Sequence, residues 1–91
     1  MEMIRRHVVI TGRVQGVWFR GTTQEQALDN GVTGWVRNLR DGSVEAVFEG
    51  VESDVENVVQ WCRKGPSLAN VIEVRVIPGK YTGEFDTFSV R

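Results

Sequence analysis

Apolar and polar residues alternate from His7 to Val14, where Val8, Ile10 and Val14 are separated by polar positions and one further valine. A period of two is typical of a strand that buries one of its faces. The pattern therefore predicts a first strand over these residues.

The segment from Thr22 to Asn30 predicts a short helix. It contains good helix formers and stops before Gly31, which can adopt the left-handed conformation that ends helices. Thr22 and Glu25 have the spacing of a capping box, so we expect the helix to start at Thr22. Its apolar face is weak, since only Ala27 and Leu28 offer much to bury.

Two runs rich in strand-forming residues follow, VTGWVRNL over residues 32–39 and SVEAVFEG over residues 43–50. They are separated by RDG, and Asp41-Gly42 is among the stronger short signals for a hairpin turn. The sequence therefore predicts a β-hairpin here.

A second helix is predicted after the hairpin. Ser53 and Glu56 again have capping-box spacing, and the helix should end by Gly65-Pro66. Apolar residues at spacings of three and four form one stripe along this helix: Val55, Val58, Val59 and Cys62.

Two more strands are predicted towards the C-terminus. The run VIEVRVI over residues 71–77 predicts a fourth strand, and FDTFSVR over residues 85–91 predicts a short fifth one through Phe88 and Val90. Three alternating apolar residues define the inward face of the fourth strand: Ile72, Val74 and Val76.

The predicted order is β-α-β-β-α-β, which is the ferredoxin-like arrangement. Right-handed crossovers would place both helices on one face of an antiparallel sheet, giving a two-layer α+β sandwich. With 91 residues the chain is expected to form a single domain over residues 1–91. Many unrelated functions share this fold, so the fold does not select one.

Composition excludes several classes of protein. A net charge of −1 provides little general attraction for nucleic acid or acidic membranes, so any bound anion must be held locally. One cysteine, Cys62, and one histidine, His7, provide neither an internal disulfide nor a zinc site. The first residues resemble neither a signal peptide nor a membrane span, which predicts a cytoplasmic protein.

The stretch GRVQGVWFR, residues 12–20, lies between the first strand and the first helix. Free N–H groups at a helix N-terminus attract anions, Gly16 permits a positive φ, and Arg20 offers a planar fork that suits phosphate oxygens. A purely structural alternative stays open: Gly16 can be an ordinary turn residue, and Arg20 can be solvated or paired with a carboxylate. By the same reasoning Val17 and Phe19 fit a core better than a ligand contact.

GRVQGVWFR, followed by GWVRNLRDGSVEAVFEG at matching spacing, resembles the two signature segments of the acylphosphatase family. The resemblance extends through the second helix and Gly65-Pro66 to the closing FSVR. It implies a ferredoxin-like fold and hydrolysis of the carboxyl-phosphate bond of small acyl phosphates, giving a carboxylate and inorganic phosphate. It also implies that the reaction needs no cofactor and no metal.

The resemblance further implies roles for individual residues. Arg20 would bind the phosphoryl group, and Asn38 would position the attacking water, although the residues alone suggest only a turn role for Asn38. Many bacterial and archaeal sequences similar to this one carry glycine in place of Trp18, so Trp18 is a candidate determinant of acyl-group size. Backbone N–H groups of the preceding loop would bind the same oxygens: Gln15, Gly16, Val17, Trp18 and Phe19.

Such a reaction needs few catalytic groups. A carboxylate leaving group, whose conjugate acid has a pKa of about 4, departs without a general acid, and phosphoryl transfer depends mainly on positioning and charge stabilisation. A small monomeric enzyme is therefore expected, without nucleic acid or membrane partners. The alternatives are a non-catalytic phosphate-binding module and an RNA-binding domain, although the RNP1 pattern is missing.

Overall fold

The computed structural model describes all 91 residues and contains five strands and two helices. Neither helix, at eleven residues each, is long and apolar enough to cross a bilayer. The predicted order of elements is confirmed. In chain order the elements are β1 (Met3–Arg13), α1 (Phe19–Asp29), β2 (Thr33–Asn38), β3 (Val44–Val51), α2 (Glu52–Cys62), β4 (Asn70–Gly79) and β5 (Phe88–Val90).

The strands form one sheet in the order β4-β1-β3-β2-β5. The first four strands pair antiparallel, as expected, but β5 pairs parallel with β2, so the sheet is mixed. The reason is topological. β4 and β5 occupy opposite edges, and the chain between them crosses the sheet before Phe88 reaches its partner Gly34.

Both helices cover one face of the sheet, as predicted for the ferredoxin-like fold. The core lies between the helices and the strand residues that point towards them, such as Val8, Val36 and Phe48. The predicted stripe of α2 is confirmed, because all four of its residues are buried: Val55, Val58, Val59 and Cys62. Burial raises the pKa of the Cys62 thiol to about 12, so this cysteine stays protonated and inert.

The predicted helix starts are wrong. α1 begins at Phe19, and the hydroxyl of Thr22 donates to the carbonyl oxygen of Trp18 from within the first turn, at 2.7 Å. Because Phe19 is buried in the core, the helix starts three residues earlier than predicted, at Phe19 instead of Thr22. α2 begins at Glu52 and has no side-chain cap, because β3 runs directly into it at Val51. Tertiary packing therefore overrides both capping signals.

A β-bulge changes the predicted inward face of β4. The pairing of β1 with β4 shifts between Thr11 and Gly12, so that Gly12 pairs with Val71 and Ile72 is left out of the ladder. Val71 then packs on the core, whereas Ile72 is 77% exposed. The prediction for Ile72 is therefore wrong, while Val74 and Val76 do pack against the core.

Residues 80–87, here called the crossing segment, connect the two edges of the sheet. Four interstrand spacings separate β4 from β5, which is about 19 Å, and eight extended residues span at most about 29 Å. Thr82 and Gly83 contact Glu49 of β3 at the middle of this path. Because Glu49 alternates with the core residues Phe48 and Gly50 along β3, it points away from the helices, and the crossing segment covers that open face.

Candidate active site

An open cleft of about 470 Å³ lies at the end of the sheet where α1 begins. The end of β1, the start of α1, the end of β2 and β5 all contribute to it. Its lining consists of Val14, Gly16, Trp18, Phe19, Arg20, Gly21, Asn38 and Val90. Three segments that are distant in sequence, residues 14–21, Asn38 and Val90, therefore meet at one cavity.

The loop from Val14 to Trp18, here called the cleft loop, takes its shape from alternating burial. The side chains of Val14, Val17 and Phe19 are almost completely buried, as the core interpretation predicted for the last two. Gly16 has φ +74° and Trp18 has φ +65°, so two left-handed residues turn the chain into the helix. The buried side chains fix the loop while its backbone lines the cleft.

The backbone N–H groups from Gln15 to Gly21 donate to no protein acceptor. The first N–H groups of an α-helix have no partner within it, and here the loop before the helix adds several more. Together with the positive end of the α1 dipole they form a region suited to an anion.

Arg20 lies in the first turn of α1 and lines the cleft. Its guanidinium forms no ion pair with an Asp or Glu side chain, and Nη1 donates to the backbone oxygen of Arg91 at 3.0 Å. Gln24, one turn later, donates to the backbone oxygen of Phe88 at 3.0 Å. Two side chains of α1 therefore bond to the C-terminal residues and fix the position of Arg20 relative to β5.

Asn38 is the last residue of β2 and lies on the same sheet face as Val36, the face that carries the helices. It is exposed, lines the cleft, and its side chain has no hydrogen-bond partner in the protein. The turn role is taken by Asp41, which accepts bonds from the hydroxyl and the N–H of Ser43 that lower its pKa. The amide of Asn38 is therefore free to contact a ligand or water.

The side chain of Gln15 connects the cleft loop to the hairpin. Its Nε2 donates to the carbonyl oxygens of Leu39 and Ser43, at 2.7 and 2.9 Å. These two residues themselves bond across the turn that follows Asn38. The segments that carry Gly16 and Asn38 are therefore held at a fixed separation.

The opposite face of the sheet carries a second group of polar contacts. His7 lies 2.7 Å from Glu45, which also binds Arg37, in keeping with a structural role for His7. Burial would raise the pKa of Glu45, but these two partners outweigh it and lower the pKa. Nearby, the guanidiniums of Arg37 and Arg91 lie 5.2 and 4.7 Å from the ring centre of Trp35.

Sequence reasoning found the cleft loop, Arg20 and Asn38, but it missed three contributors. Val90 and Arg91 reach the cleft through the parallel pairing of β5, for which the sequence carries no local signal. The side-chain bonds of Gln15 depend on the hairpin being folded beside it. No spacing within the sequence could indicate them.

This architecture defines a ferredoxin-like α+β protein with an open cleft at the junction of β1 and α1, with an arginine and free amides on its wall. A scan against protein families matches the acylphosphatase model over residues 6–90. The chain belongs to the acylphosphatase family.

Relatives and solved structures agree with that assignment. The chain is 53% identical to the acylphosphatase of Pelotomaculum thermopropionicum over 90 residues, covering 99% of this chain and 98% of the relative. It is 56% identical to that of Roseiflexus sp., covering 99% and 97%. The structure of an acylphosphatase from Coxiella burnetii superposes with a TM-score of 0.92 at 34% identity, covering 98% of this chain and 93% of that one.

Proposed function

We propose that this chain hydrolyses the carboxyl-phosphate bond of small acyl phosphates, with Arg20 and the cleft-loop amides binding the phosphoryl group and Asn38 orienting water. The observation that carries the proposal is the convergence of Gly16 and Arg20, from the β1–α1 junction, with Asn38, from the end of β2, on one cleft. Membership of the acylphosphatase family supports the reaction, and the geometry supports the roles.

Binding of the phosphoryl group rests on local charge. The whole chain carries a net charge of −1, so attraction must come from groups at the cleft itself. Arg20 supplies a permanent positive charge and two parallel N–H donors, and it pairs with no Asp or Glu side chain. The backbone N–H groups of Gln15, Gly16, Val17, Trp18 and Phe19 add donors that need no reorganisation when charge develops on the phosphoryl oxygens.

Orientation of water rests on the free amide of Asn38. An asparagine side chain has no useful basicity, but it can both donate and accept hydrogen bonds, which is sufficient to hold a water in line with the breaking bond. The leaving carboxylate needs no proton, so no general acid is required. We propose that a phosphoryl oxygen of the substrate accepts the proton of the water.

Every group in this scheme belongs to one chain. We therefore propose that a single domain over residues 1–91 acts as a monomer. The cytoplasm is the compartment we propose for the protein.

Hydrolysis of benzoyl phosphate tests the proposal directly. The purified protein should release phosphate without added metal, and a chelator should leave the rate unchanged. Asn38→Ala should still bind inorganic phosphate but turn over at least about 100-fold more slowly, because it loses a preorganised group that acts on the reacting atoms.

Asn57→Ala removes an exposed amide from α2 and is the matched control, for which we expect wild-type turnover. Phosphate binding without any hydrolysis by the wild type would identify a binding module instead of an enzyme. Strong residual turnover in Asn38→Ala would remove Asn38 from its role.

A further inference from the structure

Glu49 is the one carboxylate whose side chain is completely buried. It lies on β3, opposite Arg5 of β1 and Thr33 of β2, on the sheet face that carries no helix. Burying a charge costs free energy unless the group is fully hydrogen-bonded, so the partners of Glu49 must compensate for its desolvation.

Those partners are concentrated on the crossing segment. One oxygen, Oε2, accepts from Nη1 of Arg5 at 2.9 Å and from the backbone N–H of Thr82 at 2.9 Å, and it lies 3.0 Å from the Thr82 hydroxyl. The other, Oε1, accepts from the backbone N–H of Gly83 at 3.1 Å. Gly83 has φ +70°, and this left-handed turn allows two successive N–H groups to reach one carboxylate.

Arg5 completes the arrangement. Its Nη1 also contacts Glu84 at 2.9 Å, and its guanidinium lies 5.5 Å from the ring centre of Phe85. Glu49 and Arg5 together therefore hold residues 82–85, which are the middle of the crossing segment.

The crossing segment leads directly into the cleft. Thr87 accepts a bond from the N–H of Gly34, and the next residue, Phe88, starts β5. Val90 lines the cleft, and the carbonyl oxygen of Arg91 accepts the bond from Arg20. Nine residues, 83–91, lead from Thr82, which Glu49 binds, to the main-chain oxygen of Arg91, which accepts the hydrogen bond from Arg20.

β5 is a short edge strand, held by the buried ring of Phe88 and by a few hydrogen bonds such as that from Gln24 to the Phe88 oxygen. It has three residues, lies at the edge of the sheet and pairs with only one neighbour. Strands this short are marginal unless tertiary contacts fix them. Phe88 packs in the core against Phe48, but Val90 and Arg91, which reach the cleft, are exposed.

We infer that Glu49 is a positioning residue for the hydrolysis: by fixing Thr82 and Gly83 it sets where β5 docks, and so where the Arg91 carbonyl holds the guanidinium of Arg20. The inference rests on the proposed function, because it concerns the phosphate-binding role of Arg20. Glu49 itself does not touch the cleft.

Glu49→Gln tests the inference. Gln keeps the shape but replaces an acceptor oxygen with a donor that faces other donors. We expect KM for benzoyl phosphate and the inhibition constant of phosphate to rise together by about three- to tenfold, the size of one hydrogen bond, with kcat changed by less than about twofold. Amide exchange should accelerate more in residues 88–91 than in α2.

Glu45→Gln is the matched control. Glu45 lies four residues earlier on the same face of β3 and also pairs with an arginine, Arg37, as well as contacting His7, but it makes no contact with the crossing segment. We expect the wild-type inhibition constant of phosphate for this variant. A role of Glu49 in general stability would instead accelerate exchange in α2 as much as in β5 and leave the inhibition constant unchanged below the unfolding transition.

Thr82→Val serves if Glu49→Gln does not fold, since it removes only the hydroxyl and keeps both backbone donors. The same changes at smaller size would support the inference, and an unchanged inhibition constant in the folded variant would overturn it. If instead the wild type neither binds phosphate nor hydrolyses benzoyl phosphate, the proposed function fails, while exchange in residues 88–91 still reports whether Glu49 fixes β5.

Discussion

The crossing segment and the cleft loop both combine a left-handed residue with neighbouring backbone N–H groups that can bind an anion, but the two loops differ in what those groups bind. In the crossing segment a left-handed residue, Gly83, allows successive N–H groups to bind the carboxylate of Glu49. In the cleft loop a left-handed residue, Trp18, precedes N–H groups that have no protein acceptor. The first loop is closed by the protein's own anion, and the second remains available to a substrate.

The electrostatic consequences differ in the same way. Burial would raise the pKa of Glu49, but bonds from the Thr82 amide, Arg5, the Thr82 hydroxyl and the Gly83 amide outweigh it and lower the pKa. The anion is therefore permanent at neutral pH and part of the fold. Arg20, by contrast, pairs with no Asp or Glu side chain, and its hydrogen bond within the protein goes to the main-chain oxygen of Arg91.

The largest expected effect comes from removing the cation of the cleft. Arg20→Ala should lower kcat/KM for benzoyl phosphate by about 100- to 1,000-fold, because a preorganised donor at developing charge contributes about 2.7 to 4 kcal/mol. Steady-state kinetics measures this. Arg75→Ala, at the opposite edge of the sheet, should retain wild-type kinetics. A loss of less than tenfold in Arg20→Ala would mean that the cleft loop binds its ligand through amides alone.

The next effect concerns how the cleft loop is held. Gln15→Leu would remove two hydrogen bonds, to carbonyl groups of Leu39 and Ser43 that each keep one backbone donor, which costs about 1–3 kcal/mol of unfolding free energy at about 0.5–1.5 kcal/mol per bond. Urea unfolding measures this, with Gln60→Leu on the surface of α2 as the control. An unchanged urea midpoint would show that the buried valines hold the loop without Gln15.

Acid should weaken the hydrogen bonds by which Glu49 holds the crossing segment. A pKa lowered by folding contributes stability that is fully present above the unfolded value, about 4.3 for Glu, and is lost as the pH falls through the folded value. Glu49→Gln should therefore differ most from the wild type at neutral pH, and the gap should narrow below about pH 4. Urea midpoints between pH 7 and 3 test this, with the exposed Glu25→Gln as the control. A gap that stays constant with pH would contradict it.

The smallest effects come from the left-handed residues themselves. A non-glycine residue in this conformation costs about 1–2 kcal/mol. Gly83→Ala should lose about that much stability, whereas Trp18→Gly should gain up to about 1 kcal/mol, since the Trp18 side chain is 81% exposed and leaves no core gap. Thermal unfolding measures both. A destabilised Trp18→Gly would show that the indole makes a contact worth more than the strain.

Periodicity predicted the elements of this fold because each strand and helix buries a defined stripe. The alternation around Val8 and Ile10, the Asp41-Gly42 turn and the valine stripe of α2 all survive in the structure. Local patterns succeed when burial follows the period of one element.

Predictions failed where distant segments decide local geometry. The start of α1 depends on the burial of Phe19, and the outward turn of Ile72 depends on a bulge opposite Gly12. Glu49 reads as an ordinary solvent-facing residue of a strand until the crossing segment is placed over it. The family resemblance indicated the arginine and the asparagine of the cleft. It did not indicate that β5 forms one of its walls.

The fluorescence of Trp35 can report on the C-terminal residues, because the guanidiniums of Arg37 and Arg91 lie close to its ring. Its indole lies against Arg91, whose carbonyl bonds Arg20 on the other side of the sheet. Undocking of the C-terminal residues would remove one cation from this ring and expose it to solvent. The emission of Trp35, isolated in a background where Trp18 and Trp61 are replaced by Phe, would therefore follow the ordering of the last strand in real time without an added label.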